Sequence, residues 1–173
     1  DFLAGRLPGL PGELPTLRDW SDHITTAFPE VRLKTYLEMR GADSGPQSRL
    51  SALPAFWVGL LYDDEAMDAA WSLVRDFTME ERHHLRDGVP KQGFKLPFRG
   101  GTLGDIAREA LVISKAGLRR RARLNAQGAD ETQYLDPLFE LALSNQTAAE
   151  HKLDLYHRVW GGNVDPIFKE FSY

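Results

Sequence analysis

Polar side chains alternate along one apolar segment, and their types suggest chemistry on phosphate. Every second position of VRLKTYLEMR is polar, at Arg32, Lys34, Tyr36, Glu38 and Arg40. In an extended strand, residues two apart share a face and lie roughly 6.5–7 Å from each other. A carboxylate on such a face can bind Mg²⁺, which prefers oxygen ligands. A guanidinium two residues away can then hold the phosphate that the metal bridges.

The same pattern also fits a plain surface strand. Charged residues of opposite sign on a solvated face form lateral ion pairs, each of which contributes roughly 0–1 kcal/mol to stability. Spacing alone therefore leaves both interpretations open for Glu38 and Arg40.

Other groups of polar residues give weaker signals. His83 and His84 are adjacent, so on a helix they diverge by about 100° and do not suit one metal ion. The basic run at 119–123 fits the last turn of a helix, where cations complement the helix dipole, and it lacks the interleaved aromatics of a nucleic-acid site. The Gly-Gly-Thr at 100–102 has no following Lys, so it predicts a loop and helix cap and not a phosphate loop.

The alternation at 31–40 predicts one half-buried strand whose apolar face includes Leu37 and Met39. The turn residues GADSGP end it. One strand cannot form a sheet alone, so its partners come either from outside this chain or from weak strands that the pattern does not reveal. We take this as an indication that the chain is the tail of a larger α/β protein.

The rest of the chain predicts helices. Threonines at Thr16, Thr78, Thr102 and Thr147 are positioned as N-caps, two of them within capping boxes. The first helix is expected to stop near Phe28, the helix over 47–62 to kink or restart at Pro54, and the helix after Thr78 to end near Gly88. The predicted fold class is α+β, with a loop, helix and strand in residues 1–45 and a helical unit in residues 46–173.

Composition narrows the class of protein. The 173 residues carry 21 Lys plus Arg against 25 Asp plus Glu, a net charge of −4, which argues against a nucleic-acid binder. No run of 18 apolar residues exists, so we expect no membrane span. The chain has no Cys, which excludes disulfides and thiolate chemistry within it and fits a cytoplasmic protein.

Longer stretches resemble one family, in order, along nearly the whole chain. FLAGRLPGLPGELPT, DHITTAFPEVRLKTYLEMRGADSGP, LSALPAFWVGLLYD, PFRGGTLGDIARE and VWGGNVDPIFKEFSY resemble the C-terminal part of glutamate–cysteine ligases of the plant and proteobacterial type. The stretch YLEMRGAD is also similar to the Glu-x-Arg strand of the glutamine-synthetase-like superfamily. That resemblance implies that Glu38 binds Mg²⁺ and that Arg40 contacts phosphate. Lys34 shares the predicted face as a weaker nucleotide contact, because it matches no superfamily position.

The resemblance implies an ATP-dependent reaction that joins glutamate to cysteine through an acyl phosphate. It also implies that the other metal ligands and most of the glutamate pocket lie upstream, so the isolated chain should be inactive and the strand should belong to a larger antiparallel active-site sheet. Plant members carry Cys where Ser51 stands, so a redox switch at that position is not expected here. Gln47 replaces a usual Trp, a change for which we have no functional account.

Two alternatives remain from the sequence. One is a related carboxylate–amine ligase with another amine substrate, because the residues that would read a thiol lie mostly upstream. The other is a non-catalytic helical interaction domain whose strand pairs with the sheet edge of a partner. An interaction domain has no need of Glu38 and Arg40 as a pair, whereas a phosphoryl-transfer site does.

Overall fold

The computed structural model describes residues 1–43 and 45–172 and divides the chain into two compact units, Asp1–Asp43 and Ser44–Tyr173. The first unit contains α1 (Leu17–Thr25), β1 (Val31–Leu33) and β2 (Leu37–Met39). The second contains α2 (Gln47–Leu61), α3 (Asp64–Val74), α4 (Met79–Gln92), β3 (Pro97–Phe98), β4 (Gly101–Thr102), α5 (Leu103–Arg121), α6 (Asp136–Ser144), α7 (Ala148–Asp154) and α8 (Ile167–Glu170). Within the described ranges, no helix is long and apolar enough to cross a membrane. The α+β class predicted from sequence is confirmed.

Local side-chain hydrogen bonds set both ends of α1. Thr16 and Asp19 form a capping box, in which the Asp19 carboxylate accepts the Thr16 N–H at 2.7 Å. The helix ends at Thr25, before the predicted stop at Phe28. The hydroxyls of Thr25 and Thr26 donate to the carbonyls of Asp22 and His23, so these side chains take up acceptors at the end of the helix.

The predicted single strand is wrong, because residues 31–39 form a two-stranded antiparallel hairpin. Arg32 pairs with Glu38 across the two strands, and the N–H of Lys34 donates to the carbonyl of Tyr36 at 2.8 Å inside the turn. Alternation reports which residues are extended but not whether the chain reverses between them. The reversal at Lys34-Thr35-Tyr36 contains none of the Gly, Pro, Asn or Asp residues that mark turns.

Within this chain, the apolar face predicted to be packed is not covered at Leu37. Leu37 was expected to pack, but it is 60% exposed, and Leu33 is 79% exposed. None of the residues 1–43 is fully buried. Two short strands and one helix offer too little surface to enclose these side chains. The apolar face of the hairpin is therefore open in this chain.

The second unit has a core built on close contact between α2 and α5. A Cβ placed on Gly117 would lie 2.0 Å from the carbonyl oxygen of Gly59, so the two backbones touch without side chains between them. Beside this contact, the buried Ser114 hydroxyl donates to the carbonyl of Phe56 at 2.9 Å. The core next to it includes the buried Leu118 and Leu135.

Two helices of this unit continue past the breaks predicted for them. Helix α2 passes through Pro54 without interruption, and α4 runs through Gly88 and Pro90 as far as Gln92. A Cβ on Gly88 would lie 2.5 Å from the buried side chain of Leu96. Gly88 thus permits close packing and does not end the helix.

The basic run at the end of α5 joins elements of the helical unit and is not simply solvated. Arg120 pairs with Asp63 at 2.6 Å, and Arg121 pairs with Glu131 at 3.3 Å. Asp63 also caps α3 by accepting the N–H of Ala66 at 2.9 Å. Hydrogen bonding from Arg120 lowers the pKa of Asp63 below its usual range.

A second ion pair fixes the turn between β3 and β4. Arg99, at φ 45°, places two guanidinium nitrogens 2.5 and 2.6 Å from the Glu81 carboxylate and lies over the ring of Phe77. Glu81 also accepts the N–H of Thr78 at 2.8 Å in the predicted capping box. The bonds from Arg99 and then from Thr78 lower the pKa of Glu81 to about 2. Of the two adjacent histidines, His84 hydrogen bonds through Nε2 to the carbonyl of Pro97 at 2.9 Å.

Candidate functional site

The hairpin brings three charged side chains together. The antiparallel register sets Arg32 directly opposite Glu38, and Arg40 follows β2 two residues after Glu38. The N–H of Arg40 donates to the carbonyl of Glu30 at 2.8 Å, which extends the hydrogen bonding of the hairpin by one residue and fixes the backbone of Arg40. The three side chains are about one-third exposed, at 36%, 30% and 27% for Arg32, Glu38 and Arg40.

Glu38 uses one carboxylate oxygen for both arginines. Arg32 places Nη2 2.7 Å and Nε 2.8 Å from Glu38 Oε2, and Arg40 Nε lies 3.8 Å from the same oxygen. Within the described residues Oε1 accepts no hydrogen bond. The arrangement therefore holds the carboxylate from one side and leaves its second oxygen available.

Arg40 has hydrogen-bonding capacity that the described part of the chain does not use. Its guanidinium lies over the ring of Phe28, 5.4 Å from the centroid, and its distance from Glu38 is too long for a hydrogen bond. Its Nη1 is buried and has no acceptor among the described residues. A buried donor without a partner costs about 1–3 kcal/mol, so this position favours an added acceptor. An oxyanion is the acceptor that a planar guanidinium fits best.

Lys34 lies in the turn of the hairpin and is exposed. Among the described residues its side chain makes no ion pair with Glu38. A contact between Lys34 and nucleotide stays a prediction. Tyr36 lies in the same turn.

The sequence pattern did not predict the role of Arg32 in the site. It makes the shortest contacts to Glu38, yet the two residues are six positions apart. Only the turn at residues 34–36 brings them together, and no residue type there announces a turn. A test of the segment as a hairpin, with opposite charges in register across the strands, could have found the pair.

The described residues offer one ligand for a divalent metal at this site. They contain no group of three or more His, Cys, Asp or Glu side chains that could hold a metal ion. Glu38 Oε1 can supply a single oxygen. Mg²⁺ is commonly bound through one or two carboxylates together with water and substrate phosphates. The site thus fits a partial Mg²⁺ ligand set and a phosphate contact from Arg40.

Comparison with known proteins decides the family. The model of glutamate-cysteine ligase family 2 matches residues 8–170. The chain belongs to this glutamate–cysteine ligase family. It is 52% identical over 173 residues to the chloroplastic glutamate–cysteine ligase of Solanum lycopersicum and 52% identical over 172 residues to that of Arabidopsis thaliana. It is also 53% identical over 173 residues to the chloroplastic glutamate–cysteine ligase B of Oryza sativa subsp. japonica. The resemblance read from the sequence is confirmed.

This chain spans about a third of the length of these relatives. The matches cover 99–100% of this chain but only 32–34% of each of these three relatives. The relatives are chloroplastic, which makes the prediction of a cytoplasmic protein wrong. The absence of Cys bears on redox chemistry and does not distinguish one reducing compartment from another.

Proposed function

We propose that this chain forms part of the active site of an ATP-dependent ligase that joins glutamate to cysteine. Membership of the glutamate–cysteine ligase family supports the reaction. The observation that carries the assignment of the site is the arrangement on the hairpin. Among the described residues, Nη1 of Arg40 has no acceptor and Oε1 of Glu38 accepts no hydrogen bond. In this proposal Glu38 binds Mg²⁺ and Arg40 binds phosphate.

The proposed reaction has two steps. The γ-phosphoryl group of ATP passes to the γ-carboxylate of glutamate, giving an acyl phosphate and ADP. The amine of cysteine then attacks the acyl carbon, phosphate leaves, and γ-glutamylcysteine forms with loss of a proton from the amine. This product is the first intermediate of glutathione synthesis. Bound Mg²⁺ would neutralise charge on the phosphates.

The residues of the chain have separate tasks in this reaction. Arg40 donates hydrogen bonds to phosphate oxygens, whose negative charge shifts as the phosphoryl group transfers. Arg32 holds the carboxylate of Glu38 by Oε2, so that Oε1 keeps one orientation. These are effects of positioning and electrostatics, which supply most of the catalysis in phosphoryl transfer.

The two parts of the chain contribute differently to the proposed enzyme. Residues 1–45 supply a piece of a larger catalytic sheet, and residues 46–173 form a helical packing unit. The open apolar side chains of Val31, Leu33 and Leu37 support this division, because they need a cover that residues 1–43 do not provide. The greater length of the relatives makes the rest of the same protein the expected partner.

The experiment is a steady-state assay on the full-length protein with ATP, Mg²⁺, glutamate and cysteine, in which ADP and γ-glutamylcysteine are both quantified. We expect equal amounts of the two products. We expect no turnover from the 173-residue chain alone, and robust turnover by this chain would show that the active site is self-contained. Replacing cysteine by other amines tests the alternative of a related ligase, which equal or faster turnover of another amine would favour.

A further inference from the structure

A cavity in the helical unit carries an inference beyond the proposed ligase reaction. It has a volume of about 600 Å³ and lies between the start of α2, the end of α6, the helix α7 and the residues of α8. Pockets for small molecules commonly span roughly 300–1,000 Å³. The cavity is therefore large enough for an organic ligand, and all its lining residues belong to one unit.

The charges around this cavity are of one sign. Arg49 and Lys152 line it together with His151, and its described lining residues include no Asp or Glu, although the whole chain has a net charge of −4. The Arg49 guanidinium makes no hydrogen bond or ion pair with the described residues. The Lys152 ammonium lies over the ring of Phe171, 5.1 Å from its centroid. Two cations without a carboxylate partner among the described residues thus line the same cavity.

An acidic side chain of α7 close in sequence to Lys152 is engaged elsewhere. Glu150 pairs with Lys95 at 2.6 Å and accepts the N–H of Thr147 at 2.7 Å. Hydrogen bonding from Lys95 and then from Thr147 lowers the pKa of Glu150 to about 2, so this carboxylate stays charged and engaged elsewhere. Helix α2, whose first turn carries Arg49, has neither a side-chain cap nor an acidic residue in that turn, so its dipole adds to the positive potential.

Another part of the cavity lining is apolar and aromatic. Ile167, Phe168 and Phe171 line it, and Phe168 is 74% exposed. The ring of Phe171 stands edge-on to His151, with 6.2 Å between the centroids. A ligand that contacts both the cations and these aromatic rings must join an anionic group to a flat apolar group.

We propose that this cavity binds an organic anion, with its phosphate or carboxylate at Arg49 and Lys152 and its aromatic part against Phe168 and Phe171. The site does not depend on the chemistry of the hairpin. Phosphate and carboxylate are both good partners for a guanidinium, so the anionic group is left to the experiment.

The experiment measures dissociation constants by saturation-transfer NMR on the full-length protein, with four probes. Phenyl phosphate and benzoate carry both parts of the ligand, whereas inorganic phosphate and benzyl alcohol each carry one. We expect at least one of the two complete probes to bind about tenfold more tightly than either partial probe, because its two halves contact the cations and the aromatic rings. The tighter of phenyl phosphate and benzoate identifies the preferred anion.

Variants locate the binding. Arg49→Gln and Lys152→Gln should each weaken the better probe about tenfold, the loss expected for one charge-assisted hydrogen bond. Arg123→Gln is the matched control, because Arg123 is exposed, makes no ion pair with the described residues, and carries the same charge. It should leave the dissociation constant within about twofold. Phe168→Ser should raise the dissociation constant of phenyl phosphate to near that of inorganic phosphate.

Either of two results would overturn the proposal. In the first, none of the four probes binds the full-length protein, which would mean that the cavity is closed or filled there. The other is binding that Arg49→Gln, Lys152→Gln and Phe168→Ser all leave unchanged, which would place the ligand elsewhere. Melting curves of the three variants verify that each remains folded.

Discussion

The hairpin and the helical unit use their charges in different ways. In the helical unit, Arg99 and Arg120 each place two or more short contacts on a carboxylate that also caps a helix. In the hairpin, Arg40 approaches Glu38 only to 3.8 Å, and its buried Nη1 has no acceptor in the part of the chain that the structure describes. Charges of the first kind join elements of the fold, and charges of the second kind remain available to a ligand.

The hairpin and the helical unit also differ in how deeply their side chains are buried. The helical unit has fully buried side chains such as Leu118 and Leu135, whereas none of the residues 1–43 is fully buried. Substitutions of packed residues in the helical unit should therefore change stability, and substitutions of Glu38 and Arg40 should change catalysis. Substitutions in both regions can test that separation.

Gly117→Ala should destabilise the protein most. Its new Cβ would lie 2.0 Å from the carbonyl oxygen of Gly59, so α2 and α5 must move apart. We expect a loss of about 3 kcal/mol of unfolding free energy and a melting temperature lower by roughly 10 °C. Gly9→Ala is the control, because nothing lies within 4 Å of its added Cβ. Equal melting temperatures for both variants would contradict the backbone contact.

Glu38→Gln should reduce catalysis strongly at little cost in stability. The amide keeps the shape of the side chain but lacks the charge that binds Mg²⁺, so we expect a rate loss on the order of a hundredfold and a raised Mg²⁺ requirement in the full-length enzyme. Glu131→Gln removes a paired carboxylate of the same 30% exposure in the helical unit. That control should keep the rate. A normal rate for Glu38→Gln would remove Glu38 from the site.

Arg40→Lys should lower kcat about tenfold, more than it raises the KM for glutamate, because lysine keeps the charge but loses the planar pair of donors. Arg120→Lys changes the same group at the Asp63 ion pair and should lower the melting temperature without changing kcat. If Arg40→Lys keeps kcat while its melting temperature falls, then Arg40 is structural, and the interaction-domain alternative gains support.

Leu37→Ala distinguishes an open hairpin from a covered one. Leu37 is 60% exposed in this chain, so the substitution should change the stability of the 173-residue chain by less than about 1 kcal/mol. In the full-length protein we expect a loss of about 2–3 kcal/mol, because the proposed sheet would bury this side chain. Denaturant unfolding of both lengths measures the difference. Equal losses would contradict the proposed cover.

The ion pair of Glu81 should give the smallest effect, seen only in acid. Its pKa in the folded chain is about 2, below the ordinary value of 4.5, so its stabilising contribution is complete above pH 4.5 and is lost as the pH falls toward 2. Glu81→Gln should therefore lose less stability than the parent between pH 5 and pH 2.5. Glu109→Gln, at an exposed carboxylate with no ion pair among the described residues, should follow the parent. Urea unfolding at the two pH values measures the free energy of unfolding of the parent and of both variants.

Local signals in the sequence predicted local structure well. Thr16, Thr78, Thr102 and Thr147 each begin a helix as expected, because a cap depends on residues only three positions apart. The proximity of Glu38 and Arg40 also follows from local spacing, since both lie on the same side of the turn. Such features are predicted correctly even when the pairing of the strand is not.

Features that need a distant contact were not predictable in the same way. The pairing of Arg32 with Glu38 depends on a reversal that no residue at 34–36 marks. The course of α4 through Gly88 depends on Leu96, a residue outside that helix. The exposure of Leu37 depends on how much surface the chain has to cover it, which alternation does not report.

The contact between α2 and α5 has a consequence for hydrogen exchange. Because the backbone of Gly59 meets that of Gly117 directly, neither helix can open locally there without separating from the other. The hydroxyl of Ser114, which bonds across to Phe56, adds a second link at the same level. The amide hydrogens of these two turns should therefore exchange with solvent only when the whole helical unit unfolds, and they should be the last to take up deuterium.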